Sequence, residues 1–200
     1  TAAISEAECA ARDKLYPINR AQIDEYIAWW ENPAAYPAYQ IPADIINWPA
    51  HGDVTQKQSY YLAPFYDRGG DGNYDPYDGD YPYYDIANEL CHSDTPTVED
   101  EKGIVNGGLL SDQVIKGDAT LWWVFNDKGN IHTETQGTPI GLEIRAQAFG
   151  FATNDEINNM TFYSYEIINR STYRLTGTYF SQWVDTDLGF ATDDYVGCDV

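Results

Sequence analysis

The chain is short of cations. Its 200 residues hold 11 Lys and Arg against 32 Asp and Glu, which leaves a net charge of −21 and a pI near 4.1. A surface this acidic repels phosphate backbones and anionic headgroups, which excludes nucleic acid and anionic membrane surfaces as partners. No run of roughly 18 apolar residues occurs, so nothing reads as a helix inserted in a membrane. Histidine is scarce too. His51, His92 and His132 are spread without HxH or HExxH spacing, and no GxSxG is present. The usual signatures of a metallohydrolase and of a serine nucleophile are therefore missing. Cysteine is limited to Cys9, Cys91 and Cys198, with no CxxC pair. An odd count in an extracellular chain predicts one disulfide and one leftover thiol. A Cys9–Cys91 bond would tether the N-terminal helical part to the body, and Cys198 would find its partner elsewhere. Three buried thiols are the alternative. There is no initiator Met and no signal peptide, so Thr1 reads as the start of a processed or truncated chain.

What the chain does have is aromatic surface and clustered acid. Aromatics make up 15 %, with 17 Tyr and 6 Trp. That abundance fits an all-β core with amphipathic faces, or a surface that binds sugar or protein. The acid is concentrated in Asp67-Arg-Gly-Gly-Asp71-Gly-Asn73-Tyr-Asp75-Pro-Tyr-Asp78, running on through Gly79 and Asp80. Laid on a twelve-position calcium loop, it puts Asp67 at position 1, Asp71 at 5, Gly72 at 6, Asn73 at 7, Asp75 at 9 and Asp78 at 12. A hard cation takes six to eight oxygens, and alternate residues of a tight loop can aim theirs inward. Position 3 is Gly69, where water or backbone must substitute for a side chain, and Asp78 replaces the customary Glu. The alternative is an acidic surface turn, since Asp and Gly both favour turns. Carboxylates packed this closely repel one another unless a cation lies between them. A second acidic group, Asp185 and Asp187 followed by Asp193 and Asp194, can bracket another calcium ion between loop walls.

The rest of the chain divides in two. Ser5 and Glu8 stand at capping-box spacing and predict a short helix over 5–15, ended by Pro17. Asn19 can cap a second helix over 20–31, with Ile23, Tyr26, Ile27 and Trp30 on one face. Residues 33–66 are Pro- and Tyr-rich and predict an irregular wrapping segment with one short helix near 43–47. His51 beside Asp53 has no nucleophile near it and reads as structural. Residues 92–108 read as a long surface loop. From Gly117 the pattern turns to strands. A hairpin is predicted over 121–135, with its turn at 126–129. Leu142, Ile144, Ala146 and Ala148 alternate with Glu143, Arg145 and Gln147, the pattern of a half-buried antiparallel strand. Residues 160–170 form its partner, and 175–184 a further strand. The expected fold is mainly β: an antiparallel β-sandwich over about 115–200, with an N-terminal helical and irregular extension (1–66) and a calcium loop and long surface loop (67–115).

Several long runs carry a resemblance. Residues 117–135 (with Leu121-Trp-Trp-Val-Phe125), residues 141–163 (with Gly141-Leu-Glu-Ile-Arg-Ala-Gln-Ala-Phe-Gly150) and residues 179–199 (with Gln182-Trp-Val-Asp-Thr-Asp-Leu-Gly189) resemble large secreted proteins of Bacteroidota that end in a type IX secretion sorting domain. The acidic stretch 67–82 is similar to theirs, although Gly69 stands where those proteins usually carry Asn. The resemblance spans about residues 9–200. It implies export across the outer membrane, extracellular or cell-surface display, and a chain that is an internal segment of something longer. It implies no catalytic residues. The reading is therefore a non-enzymatic, calcium-stabilised structural or adhesive surface module, assembling into a fibre or larger secreted complex, with copies of itself or neighbouring domains as partners. The alternative is a carbohydrate-binding module, or part of a secreted polysaccharide-degrading enzyme, for which the Trp and Tyr would be sugar platforms.

Overall fold

The computed structural model describes residues 13–84, 115–128 and 132–183, together with Ala7, Ala10 and Gly189. Cys9, Cys91, Cys198, most of the helix predicted over 5–15, and the loop predicted over 92–108 lie outside them. Strand β1 (Tyr16–Asn19) leads directly into helix α1 (Arg20–Glu31). Asn19 accepts the Gln22 backbone N–H at 2.9 Å, and the Gln22 side chain accepts the Asn19 N–H at 3.1 Å. This reciprocal pair satisfies two donors that a helix start otherwise leaves open. Helix α2 (Ala43–Ile46) follows at the predicted place in the wrapping segment. The short strands β2 (Phe65–Tyr66) and β3 (Tyr81–Pro82) pair antiparallel and close the base of the acidic loop between them. Strands β4 (Ala119–Asn126), β5 (Leu142–Gly150) and β6 (Phe162–Asn169) complete the architecture.

The main sheet is antiparallel, in the order β1-β4-β5-β6. Strand outweighs helix, as a mainly β fold requires; a second sheet facing the first is not found among the described residues. Two strand expectations change. Residue 121 onward does enter a strand, but β4 pairs with β5, and the described residues 132–135 hold a turn instead of a strand. The Asp127 carboxylate draws the connection back on itself, accepting the N–H groups of Ile140, Gly141 and Leu142 at 2.5–3.1 Å. The run 175–183 forms no strand. Strand β1 was hidden from the sequence because its four residues span Pro17, read there as a helix stop. Pro17 pairs across to Leu121 at the sheet edge, where a missing donor is tolerated.

The core lies between α1, the wrapping segment and one face of the sheet. Ile18, Ile23, Tyr26, Ile45, Phe65, Tyr81, Tyr83, Ile115 and Trp122 are all essentially inaccessible. The sheet face turned toward this body is the polar one of β5. Arg145 donates to the Tyr61 carbonyl at 2.7 Å and pairs with Glu143 at 2.9 Å; Ser59 donates to Glu143 at 2.6 Å. Burial alone would raise the Glu143 carboxyl, but Arg145, with hydrogen bonds from Arg170 and Ser59, holds it below its ordinary range. The alternating apolar residues of β5 consequently point to the other side.

Candidate functional site

The acidic loop is anchored at its base by packing. Tyr66 stacks on Tyr81 with centroids 5.0 Å apart, and the Tyr26 hydroxyl donates to the Pro76 carbonyl at 2.7 Å. The Tyr74 hydroxyl reaches the Ile45 carbonyl at 2.7 Å. Burial first, and then the Asp80 charge, push the Tyr26 phenol well up, so it stays a donor. On the flank, His51 stacks on Tyr60 at 4.2 Å. Its Nε2 accepts the Tyr74 N–H at 2.9 Å, which leaves Nδ1 to donate to the Tyr60 carbonyl at 3.2 Å. The neutral ring is thus a structural clip on the loop, as its sequence context suggested.

Asp67 folds the loop around itself. It is buried, and its two oxygens accept the Gly70 and Gly72 N–H groups at 2.6 and 2.7 Å. Gly72 has φ +79°, and a Cβ there would stand 2.8 Å from the Tyr61 hydroxyl, so no other residue fits without displacement. Asp78, the predicted closing ligand, comes back to the third position. A Cβ built on Gly69 would lie 3.4 Å from Asp78 Oδ2 and 3.9 Å from Asp67 Oδ1. Asp67 and Asp78 therefore both stand beside Gly69, where water or backbone was expected to substitute for a side chain.

The remaining predicted ligands are spread outward. Asp71 is exposed and accepts the Asn73 N–H at 2.8 Å; Asp75 is exposed and accepts the Tyr77 N–H at 2.8 Å. The Asn73 side-chain carbonyl is taken by the Tyr60 hydroxyl at 2.5 Å. Among the described residues, no group of three or more His, Cys, Asp or Glu side chains is gathered as a metal cage would be. Asp185, Asp187, Asp193 and Asp194 lie outside the described residues.

One carboxylate that holds the loop's backbone was not singled out from the sequence. Asp80, two residues past the loop, is buried and accepts the Arg68 and Asp75 N–H groups at 2.8 Å each. Burial pushes its carboxyl up; the bonds from Asp75 and Arg68 oppose that, and the Asp67 and Asp71 charges add to it. The signal in the sequence was Gly79-Asp80 ahead of an aromatic strand, which a twelve-position template cuts off. Arg68 does not sit among the carboxylates. Its guanidinium lies over Trp30 and Tyr66, 5.7 and 5.6 Å from the ring centroids.

Chemically, the loop offers carboxylate and backbone oxygens. Asp67 uses two of about four lone-pair sites on backbone donors and keeps the rest. No family model matches the chain, and no curated protein or solved structure matches it either.

Proposed function

We propose that this chain is a calcium-stabilised, non-catalytic structural module of a secreted or surface-displayed protein. The observation that carries the reading is the placing of Asp67 and Asp78 both beside Gly69, on a loop whose neighbouring Arg68 is engaged with aromatic rings instead of the acids. A divalent cation there would take Asp67 and Asp78 as its first carboxylates. Asp71 and Asp75 would swing in by side-chain rotation, and water would fill the place that Gly69 leaves. The ion's contribution would be mechanical: it would offset the repulsion among carboxylates that already fix the loop backbone. The resemblance to type IX secretion cargo supports an extracellular location, where calcium is abundant. The sandwich reading rests on the long strands linked by turns, with the four-stranded sheet as one layer.

Thermal unfolding with calcium and with excess chelator tests this. Ligand bound only to the native state adds RT ln(1 + [L]/Kd); at roughly twentyfold saturation that is about 2 kcal/mol, or several degrees for a chain of this size. An unchanged midpoint contradicts it. The carbohydrate-binding alternative draws its support from the exposed Tyr163 and Tyr165, whose rings lie within 10° of parallel. Glycan binding that persists in chelator and fails in Tyr163→Ala would favour that reading.

A further inference from the structure

The sheet face that packs on the body carries Trp122 together with the charged side chains Glu143, Arg145 and Glu166, while the opposite face carries Leu121, Phe125, Ile144, Tyr163, Tyr165 and Ile167. All of these except Ile144 are more than a third exposed. Within β4, β5 and β6, no charged residue falls on this face, in a chain of net charge −21. It is also the side of the sheet away from the acidic loop, because the wrapping segment that holds the loop packs on the polar face through Ser59 and Tyr61.

We propose that this face is the interface through which two copies of the chain pack, sheet on sheet. The inference rests on the reading of the chain as a structural module and names its partner. Charge favours a like copy here: two strongly acidic chains approach with least repulsion where neither presents an acid, and a cationic partner would find nothing to pair with. Area agrees. Three strands of about eight residues, at ~3.4 Å per residue and ~4.8 Å per strand, span about 400 Å² in projection. Phe180, with its ring 6.4 Å from Tyr165, extends the face beyond β6. A large aromatic buries about 150–250 Å², which brings the patch to about 600 Å², in the range of the smaller specific interfaces. Two such faces would stack about 10 Å apart and close a sandwich in the dimer.

Sedimentation equilibrium over a micromolar concentration series tests the pairing. The expected result is a reversible shift from 22.6 kDa toward twice that mass. Ile167→Lys and, with no added charge, Tyr163→Ser should each weaken association at least tenfold while leaving far-UV dichroism unchanged. Val54→Lys, an exposed apolar position on the body, should leave it intact. A chain that stays monomeric throughout overturns the proposal, including one that instead binds a polysaccharide on this face. So does a dimer indifferent to both sheet variants. Failure here is separable from failure of the calcium reading, because one is read as mass and the other as a melting shift in chelator.

Discussion

At the scale of single residues, the loop depends on groups that hold its backbone. Asp80→Asn would keep the shape but turn an amine toward a buried N–H of Arg68 or Asp75. Leaving such a donor unpaired costs about 1–3 kcal/mol, readable by urea denaturation at neutral pH. His51 makes the loop acid-sensitive. Burial lowers its pKa below the ordinary imidazole range, against the Tyr60 carbonyl bond and the Asp67 and Asp71 charges, which raise it. The folded state therefore prefers the neutral ring, and the unfolded state binds the proton more readily. The stability this gives is complete above the unfolded value and is lost as pH falls from about 6.5 through the lower folded value. Melting temperatures should decline over that window, and His51→Gln, which retains an acceptor for Tyr74, should flatten the decline. A wild-type midpoint that rises on acidification would contradict the assignment. Much of this scale was legible in the sequence. The loop's Asp and Gly spacing pointed to a tight turn at Gly72, and the structure has the Gly72 N–H bonded to Asp67. The sequence did not reveal that the Asn73 side chain binds Tyr60, because that contact joins residues 13 apart beside a stack on His51; the ligand expected at position 7 was its backbone carbonyl, which this bond leaves untouched.

At the scale of elements, local rules located what local forces make. Asn19 forecast the start of α1, and Asn19→Ala should cost about 1 kcal/mol by removing the cap. The β5–β6 pairing followed from alternation and the intervening turn. The hairpin over 121–135 failed because one carboxylate decides it. Asp127 gathers three consecutive N–H groups, a tertiary contact that periodicity does not register. Asp127→Ala should loosen the β4–β5 connection, raising amide exchange at Ile140, Gly141 and Leu142 by at least tenfold, with β5–β6 amides unchanged. The inward orientation of Glu143 and Arg145 was equally hidden. Apolar alternation shows that a strand has two faces, but which face meets the body was set by Tyr61 and Ser59, more than 80 residues upstream.

At the scale of the whole molecule, the two sides of one sheet divide the work. Trp122 ties the sheet to the body, touching Tyr16 and Trp48 at 6.0 and 6.3 Å between centroids. Trp122→Ala should cost about 3–5 kcal/mol and separate the sheet from the wrapping segment, seen as loss of near-ultraviolet dichroism. The opposite face remains apolar and outward. The acidic loop stands on the body side, where a bound ion would stiffen the segment that clamps the sheet's polar face. Direct calcium binding tests that account most sharply, by equilibrium dialysis of the intact chain beside an Asp67→Asn, Asp78→Asn double variant. The account predicts saturation at a dissociation constant of about 10⁻⁴ to 10⁻³ M, with one ion fewer bound by the variant. Equal binding by both chains, or none by either in that range, would contradict it.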